Sequence, residues 1–228
     1  MCTLTWSRSG PEPLEVWFNR DEKKARPIAE APALRFRGDV SFLSPRDPQG
    51  GGTWMLVNEF GLVVCLLNRW DLASRAPQGR RRSRGQLVWS MAGARTADDL
   101  GEFLEELEFY PAFTLVGLSA ESQRRWEWDG GKMSEAPVAM PLTSSSYCYE
   151  AVKKAREKSF EDGKRGHEFH GSRGEEVSAF TVRMNRPDAQ TWSRSHLTIG
   201  RKITWNYLAE PPDLIGESRS FRAELALR

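Results

Sequence analysis

A cysteine at the second position of the chain is the residue with the clearest potential for chemistry. If Met1 is removed, Cys2 carries both a thiol and a free α-amine. The amine, with a reference pKa of about 7.7–8.0, can then act as general base for the thiol of its own residue. The alternative is a small side chain buried at the start of a strand. Position alone leaves both interpretations open.

A polar run lies within reach of this cysteine. The segments Cys2–Trp6 and Leu14–Phe18 are predicted to form a hairpin of two strands, and Asn-Arg-Asp-Glu at 19–22 follows directly. Alternation along a strand would place the Asn and Asp of this run on one face and the Arg and Glu on the other. All four can therefore face the thiol only if the strand breaks, and Pro27 favours such a break.

A second polar position ends an apolar strand. The segment Leu62–Leu67 is almost wholly apolar, which predicts a central strand buried on both sides, and Asn68 follows it. An amide at the end of a buried strand can donate a hydrogen bond to an oxyanion. A turn or cap residue is the equal alternative.

The candidate substrate-binding residues are Asn19 and the pair Arg46 and Asp47, which leads into three glycines at 50–52. These glycines lack the Lys-Ser/Thr of a phosphate loop, so they are predicted to form a turn, with a ligand cradle as the alternative. The only basic cluster, Gly79–Gly85, is predicted to be a solvated loop. A contact with an anionic or acidic substrate is its alternative.

Composition excludes several classes of function. There are 33 Lys and Arg residues against 31 Asp and Glu, too balanced for a general nucleic-acid binder. No apolar run is long enough to cross a bilayer, and no secretory signal is recognisable. Three widely spaced cysteines argue against a disulfide framework and indicate a cytoplasmic protein. His167 and His170, three residues apart, are too few to predict a metal site.

The predicted elements suit two antiparallel sheets with helices outside, an α+β fold in one domain over residues 1–228. The segment 162–174 is predicted to be a mobile loop, and the tail after Pro211-Pro212 a loosely docked extension. Helices are predicted over 83–94, 97–109 and 146–162, and strands around 34–36 and 41–43 and over 53–57, 113–118, 123–128, 177–184, 191–199 and 202–208.

The chain resembles the family named after its Asn-Arg-Asp-Glu motif, which includes the transport and Golgi organisation proteins. The matching segments are MCTL at 1–4, FNRDEKKARP at 18–27, LSPRDPQGGGTW at 43–54, NEFGL at 58–62, LLNR at 66–69 and SRGQLV at 83–88, with a weaker echo, MNRPDAQT, at 184–191. That family looks like a branch of the N-terminal-nucleophile (Ntn) hydrolases, so the resemblance implies a four-layer αββα sandwich.

The resemblance also implies roles for individual residues. Cys2 would be the nucleophile, Arg20 would lie beside its thiolate, Asp21 would orient the α-amine, and Asn68 would donate to the oxyanion. The implied reaction is hydrolysis of a linear, non-peptide amide through an acyl-thioester, with no metal or cofactor.

Two departures from the related penicillin V acylases stand out. Those enzymes carry their Arg three residues before the Asp, whereas Arg20 directly precedes Asp21. Where they carry a later Asn, this chain reads Leu-Thr-Ser-Ser at 142–145. The ligand implied is a small-molecule amide or a hydrophobic molecule. The alternative function is a non-catalytic protein that handles haem or a lipid in the same cleft.

Overall fold

Two antiparallel sheets face each other in the computed structural model, which describes residues 2–8, 13–75, 81–174 and 178–228. The first sheet has six strands in the order β10-β1-β2-β11-β12-β13. Its strands are β1 (Cys2–Ser7), β2 (Leu14–Lys23), β10 (Leu142–Ser144), β11 (Ala189–Ile199), β12 (Lys202–Ala209) and β13 (Arg219–Ala226).

The second sheet has seven strands, which follow one another in chain order. They are β3 (Glu30–Arg37), β4 (Val40–Arg46), β5 (Met55–Asn58), β6 (Val63–Asn68), β7 (Phe113–Leu118), β8 (Gln123–Trp128) and β9 (Met133–Glu135). Strand β6 is buried along almost its full length, as its apolar sequence predicts.

Helices cover the outer face of each sheet. The helix α1 (Arg84–Ser90) packs Leu87 and Val88 on the second sheet, and α2 (Tyr149–Glu161) and α3 (Gly166–Gly171) lie on the first. The main core fills the space between the sheets, where side chains such as Leu4, Phe18 and Trp205 are fully or almost fully buried. The predicted α+β sandwich of two antiparallel sheets is confirmed.

The strand containing the Asn-Arg-Asp-Glu run does not break. β2 continues to Lys23, so the expected break is wrong, because β11 pairs with β2 along its whole length, as far as Ala189 opposite Lys23. The four polar side chains therefore alternate between the two faces of the sheet. This alternation decides which of them reach the cleft.

Several other expectations need correction. The predicted helix at 97–109 is two short 3₁₀ segments, Asp98–Phe103 and Leu107–Phe109, because Glu106 has a left-handed φ of 49° between them. The predicted mobile loop contains α3, whose Phe169 and His170 are fully buried. The segment predicted as a strand at 177–184 forms only an isolated bridge at Ser178 within its described residues, and Val177 lies outside them.

The chain's tail is part of the first sheet. β13 pairs with β12 in register from Arg219 opposite Ala209 to Ala226 opposite Lys202. Ala223 and Leu225 of β13 pack against the main core, so the expected loose extension is wrong. None of the helices that the structure describes is long and apolar enough to cross a membrane.

Candidate active site

A cleft of about 440 Å³ opens where the two sheets meet at the start of the chain. Cys2, Arg20 and Asp21 reach it from the first sheet, and Leu66 and Asn68 reach it from β6 of the second. The segment 82–85 and the turn after β4 complete its walls. The cleft therefore brings together residues from five of the matching sequence segments, those at 1–4, 18–27, 43–54, 66–69 and 83–88.

Cys2 lies between two strands, directly opposite Arg20 of β2 on one side and Ser144 of β10 on the other. Opposite residues in antiparallel strands project on the same face, so Arg20 and Ser144 flank the cysteine. Burial raises the pKa of the Cys2 thiol; the charge of Asp21 also raises it, while the charge of Arg20 and a backbone hydrogen bond from Asp21 lower it. The thiol is therefore mostly protonated near neutral pH and needs a base to react.

Arg20 is held in the cleft by two contacts. Its guanidinium lies 4.4 Å from the centre of the Trp54 ring and 3.7 Å from the carboxylate of Glu22. Its side chain is only 7% exposed, so this cation is fixed beside the nucleophile position rather than solvated.

The carboxylate of Asp21 lies on the face of the first sheet opposite to the Arg20 side chain. Thr191 Oγ1 donates to Asp21 Oδ1 at 2.6 Å, and Arg156 Nη2 lies 3.4 Å from Asp21 Oδ2. Both members of the Asp21–Arg156 ion pair are fully buried. Burial lowers the pKa of Arg156, and the charge of Asp21 opposes that shift. The carboxylate is thus anchored by residues of α2 and β11. The backbone N–H of Asp21 donates a hydrogen bond to the Cys2 sulfur.

Asn19 does not line the cleft. Its amide Nδ2 donates to the backbone oxygens of His170 and Val182 at 2.9 and 3.0 Å. Its Oδ1 therefore accepts from His170 Nδ1 at 2.8 Å, which leaves His170 Nε2 to accept from Thr5 Oγ1. Burial lowers the pKa of His170 to about 3, so the ring is neutral. Asn19 connects β2 to α3, and its expected contact with a substrate is absent from this geometry.

Of the neighbouring residues Arg46 and Asp47, only Asp47 lines the cleft. Arg46 does not line the cleft; its guanidinium is 3.6 Å from Glu30 at the surface. Asp47 lines the cleft and forms an ion pair with Arg26. Partial burial would raise the pKa of Asp47, but the hydrogen bond and charge of Arg26 outweigh it and hold that pKa below its usual value.

Four alternating charges run along one wall of the cleft. Arg20 is 3.7 Å from Glu22, Glu22 is 3.7 Å from Arg26, and Arg26 bonds to Asp47. We call these four residues the ion-pair chain. Because the positive and negative charges are equal in number, the chain is internally neutral.

The three glycines at 50–52 form a turn that carries a close backbone contact. Gly51 has a φ of +66°, and a Cβ on Gly52 would lie 2.2 Å from the carbonyl carbon of Gly85. Thr53 N donates to Gly85 O at 3.1 Å across the same contact. The predicted turn thus draws the segment 82–85 against the cleft, and Gly52 itself lines the cleft.

The basic cluster places its described C-terminal part on the cleft. Arg82, Ser83 and Arg84 line it, whereas Gly79 and Arg80 lie outside the described residues. The favoured expectation of a solvated loop does not describe Arg84, which is partly buried. Burial lowers the pKa of Arg84 to about 10, although the charges of Cys2 and Glu22 oppose that shift.

Two further polar groups of this region are not among the candidate site residues predicted from the sequence. Ser144 is buried opposite Cys2, and its Oγ has no hydrogen-bond partner within the described chain. The indole Nε1 of Trp54 is likewise without an acceptor there. Ser144 belongs to the Leu-Thr-Ser-Ser run at 142–145, in the region where the acylases carry an Asn, and that position is the sequence signal for it. Trp54 is the last residue of the matching segment 43–54, but nothing in that segment marks its indole as a site group. No cluster of three or more His, Cys, Asp or Glu side chains in the described segments could hold a metal ion.

Comparison with solved structures shows the class of fold. The C2A mutant of the conjugated bile acid hydrolase from Clostridium perfringens matches with a TM-score of 0.57 at 10% sequence identity, over 99% of this chain and 92% of that one. The chain has the fold of an Ntn hydrolase. At this identity the likeness concerns the fold alone.

The sequence comparison then shows the family. The family model described as "Transport and Golgi organisation 2" matches residues 1–128, more than half of the chain. The chain belongs to this family, as its Asn-Arg-Asp-Glu motif predicts. No curated protein matches it.

Proposed function

We propose that the chain is an N-terminal-cysteine hydrolase that cleaves a carbon–nitrogen bond of a linear amide. The observation that carries the proposal is the position of Cys2, which lines the cleft opposite Arg20 while Asn68 lines the same cleft from the other sheet. A nucleophile, a fixed cation and an amide donor are the groups that acyl transfer needs.

Each group has a stated part in the proposed reaction. The Cys2 α-amine, freed by removal of Met1, takes the thiol proton as Sγ attacks the amide carbonyl carbon. The proton then passes to the leaving nitrogen, and the C–N bond breaks to give an acyl-thioester and a free amine. Water hydrolyses the thioester and restores the thiol. Met1 itself lies outside the described residues.

The remaining residues stabilise charge or position. The Asn68 side-chain amide donates to the oxyanion, and the Ser144 hydroxyl opposite Cys2 is a second candidate donor. Arg20 stabilises the thiolate as it forms. The backbone of Asp21 contacts the sulfur, and its carboxylate, anchored by Arg156, orients the amine. The raised pKa of the thiol fits this scheme, because a protonated thiol requires the adjacent base.

The non-catalytic alternative has less support from the cleft. Its lining alternates arginines with carboxylates, which is poorly matched to a lipid chain. For haem, the described lining offers the Cys2 thiol and no imidazole. The amidase is therefore the function that we propose.

Three measurements on the purified chain test the amidase proposal. Intact mass should show loss of Met1. Acetyl, butyryl and phenylacetyl p-nitroanilides should be hydrolysed by the wild type and not by Cys2→Ala, and rapid acid quenching should trap an acyl adduct on the Cys2 peptide. Retention of Met1, or equal hydrolysis by Cys2→Ala, would refute the mechanism. A haem spectral shift that survives Cys2→Ala, without hydrolysis, would favour the binding alternative.

A further inference from the structure

The charges that line the cleft are not evenly neutralised. The ion-pair chain balances two arginines with two carboxylates, and Arg82 pairs with Glu106 outside it. Arg84 is different. Its guanidinium donates from Nη1 to the backbone oxygen of Ala112 at 2.8 Å, and it forms no ion pair with any residue that the structure describes.

A partly buried guanidinium with only a neutral partner is energetically unfavourable. Removing a charge from water costs free energy unless an opposite charge or several hydrogen bonds compensate. The lowered pKa of Arg84 expresses that cost. A folded protein can tolerate this arrangement where a bound ligand supplies the missing negative charge.

The location of Arg84 relates it to the reacting centre. It lines the same cleft as Cys2 and Asn68, and its guanidinium is close enough to Cys2 and Glu22 to interact electrostatically with both. Trp70 flanks it, with the guanidinium carbon 5.6 Å from the centre of the ring. The Gly52–Gly85 backbone contact fixes the neighbouring main chain. The cation thus lies in the same cleft as the nucleophile and is held there by its hydrogen bond to Ala112 and its contact with Trp70.

We infer that Arg84 forms a subsite for an anionic oxygen group of the ligand, so that the molecule bound in the cleft carries a negative charge near the bond to be cleaved. This inference rests on the cleft being the substrate site, as proposed above. Arg84 has Nη and Nε donors beyond the one used for Ala112, and these suit a carboxylate or a phosphate. The unpartnered Nε1 of Trp54 is a further donor in the same lining.

Two alkylating reagents that differ in charge test the subsite. Iodoacetate is anionic and iodoacetamide is its neutral counterpart; each forms a C–S bond and releases iodide. Their rate ratio at Cys2 is compared with the ratio at Cys148, an exposed thiol of the same chain. Cys65 is buried, and burial raises the pKa of its thiol well above the usual value, so it should react little with either reagent. Peptide mass spectrometry separates the sites.

The subsite predicts that the iodoacetate-to-iodoacetamide ratio at Cys2 exceeds that at Cys148 by about tenfold or more, the factor for one charge-assisted hydrogen bond. Arg84→Gln should reduce the Cys2 ratio to that of Cys148, and Arg84→Lys should retain part of the preference. Arg222→Gln, which removes an exposed arginine from β13, is the matched control and should change nothing. Equal ratios at the two cysteines, or an undiminished preference in Arg84→Gln, would overturn the inference.

A binding titration separates this inference from the proposed reaction. If Cys2 reacts with neither reagent, the nucleophile proposal fails, and calorimetry on Cys2→Ala decides the subsite. Butyrate should bind and butyramide should not, and butyrate binding should be lost when Arg84→Gln is added. Tighter binding of inorganic phosphate than of butyrate supports the subsite and assigns it to a phosphate. Equal binding of butyrate and butyramide contradicts it.

Discussion

The two faces of β2 use the same four-residue run for different purposes. The inner face presents Arg20 and Glu22 to the cleft, where they belong to the ion-pair chain. The outer face sends the side chains of Asn19 and Asp21 to the helical layer, where they bond to His170 and Arg156. The motif is therefore both a wall of the site and the attachment of α2 and α3 to the sheet.

The difference between the faces lies in how completely each polar group is paired. On the outer face, buried charges and amides meet fixed partners, so removing one partner leaves another stranded in an apolar environment. On the inner face the groups border a cleft that water can enter. We therefore expect outer-face substitutions to alter stability and inner-face substitutions to alter reactivity.

The largest effect is expected from Arg156→Met in α2. It leaves the fully buried Asp21 carboxylate without its cation and should lower the free energy of unfolding by about 3–5 kcal/mol. Urea denaturation measures this change. Lys153→Met, on the exposed side of the same helix, should stay within about 0.5 kcal/mol of the wild type. A loss below about 1 kcal/mol for Arg156→Met would mean that the pair does not anchor Asp21.

The second-largest loss of stability is expected from Asn19→Ala in β2. The substitution strands the His170 Nδ1–H and two backbone oxygens, and it should cost about 2–3 kcal/mol in unfolding free energy. The Cys2 alkylation rate, measured on the folded variant, should stay unchanged, because Asn19 does not line the cleft. A slowed reaction without a loss of stability would reverse the assignment of Asn19 to the outer face.

The same face should make the protein sensitive to acid. The pKa of His170 is about 3 in the folded chain and 6.5 as a free side chain, so the unfolded state binds a proton that the folded state does not. Stability is then complete above about pH 6.5 and is lost as the pH falls towards 3. From about pH 7.5 to 5 the loss should be about 2 kcal/mol.

His170→Gln isolates this contribution, because every other titrating group is kept. The variant should lose about 2 kcal/mol less than the wild type over the same pH interval, in urea titrations at both pH values. His167→Gln, an exposed neighbour in α3, is the control and should follow the wild type. An identical pH dependence for His170→Gln and the wild type would contradict the buried neutral state.

Arg20→Met should have the smallest effect on stability and a clear effect on chemistry. Loss of the contact with Trp54 should cost about 1 kcal/mol or less. Since the charge of Arg20 lowers the Cys2 pKa, its removal should slow iodoacetamide labelling of Cys2 by roughly threefold to tenfold at neutral pH. Cys148 in the same sample is the reference. An unchanged labelling rate at Cys2 would show that Arg20 does not influence the reactivity of the thiol.

Local pattern predicted much of the fold. The hairpin of β1 and β2 and the buried strand β6 follow from their apolar residues, and α2 follows from its helical stripe. β13 could also have been found, because Phe221, Ala223 and Leu225 alternate as in a strand. The helix expected at 97–109 failed because Glu106 adopts a left-handed conformation that the apolar stripe does not reveal.

The sequence by itself predicted the two antiparallel sheets, the family through its matching segments, and the alternation of residues 19–22 between the two faces of their strand, because all of these follow from residue order along the chain. Only the tertiary structure decided that Asn19 supports α3, that Arg46 lies at the surface and that Arg84 reaches the cleft. Those outcomes depend on contacts between segments far apart in the chain: Asn19 with His170, Arg46 with Glu30, and Gly52 with Gly85. Such pairings leave no periodic signal in either partner, so local sequence could not specify them.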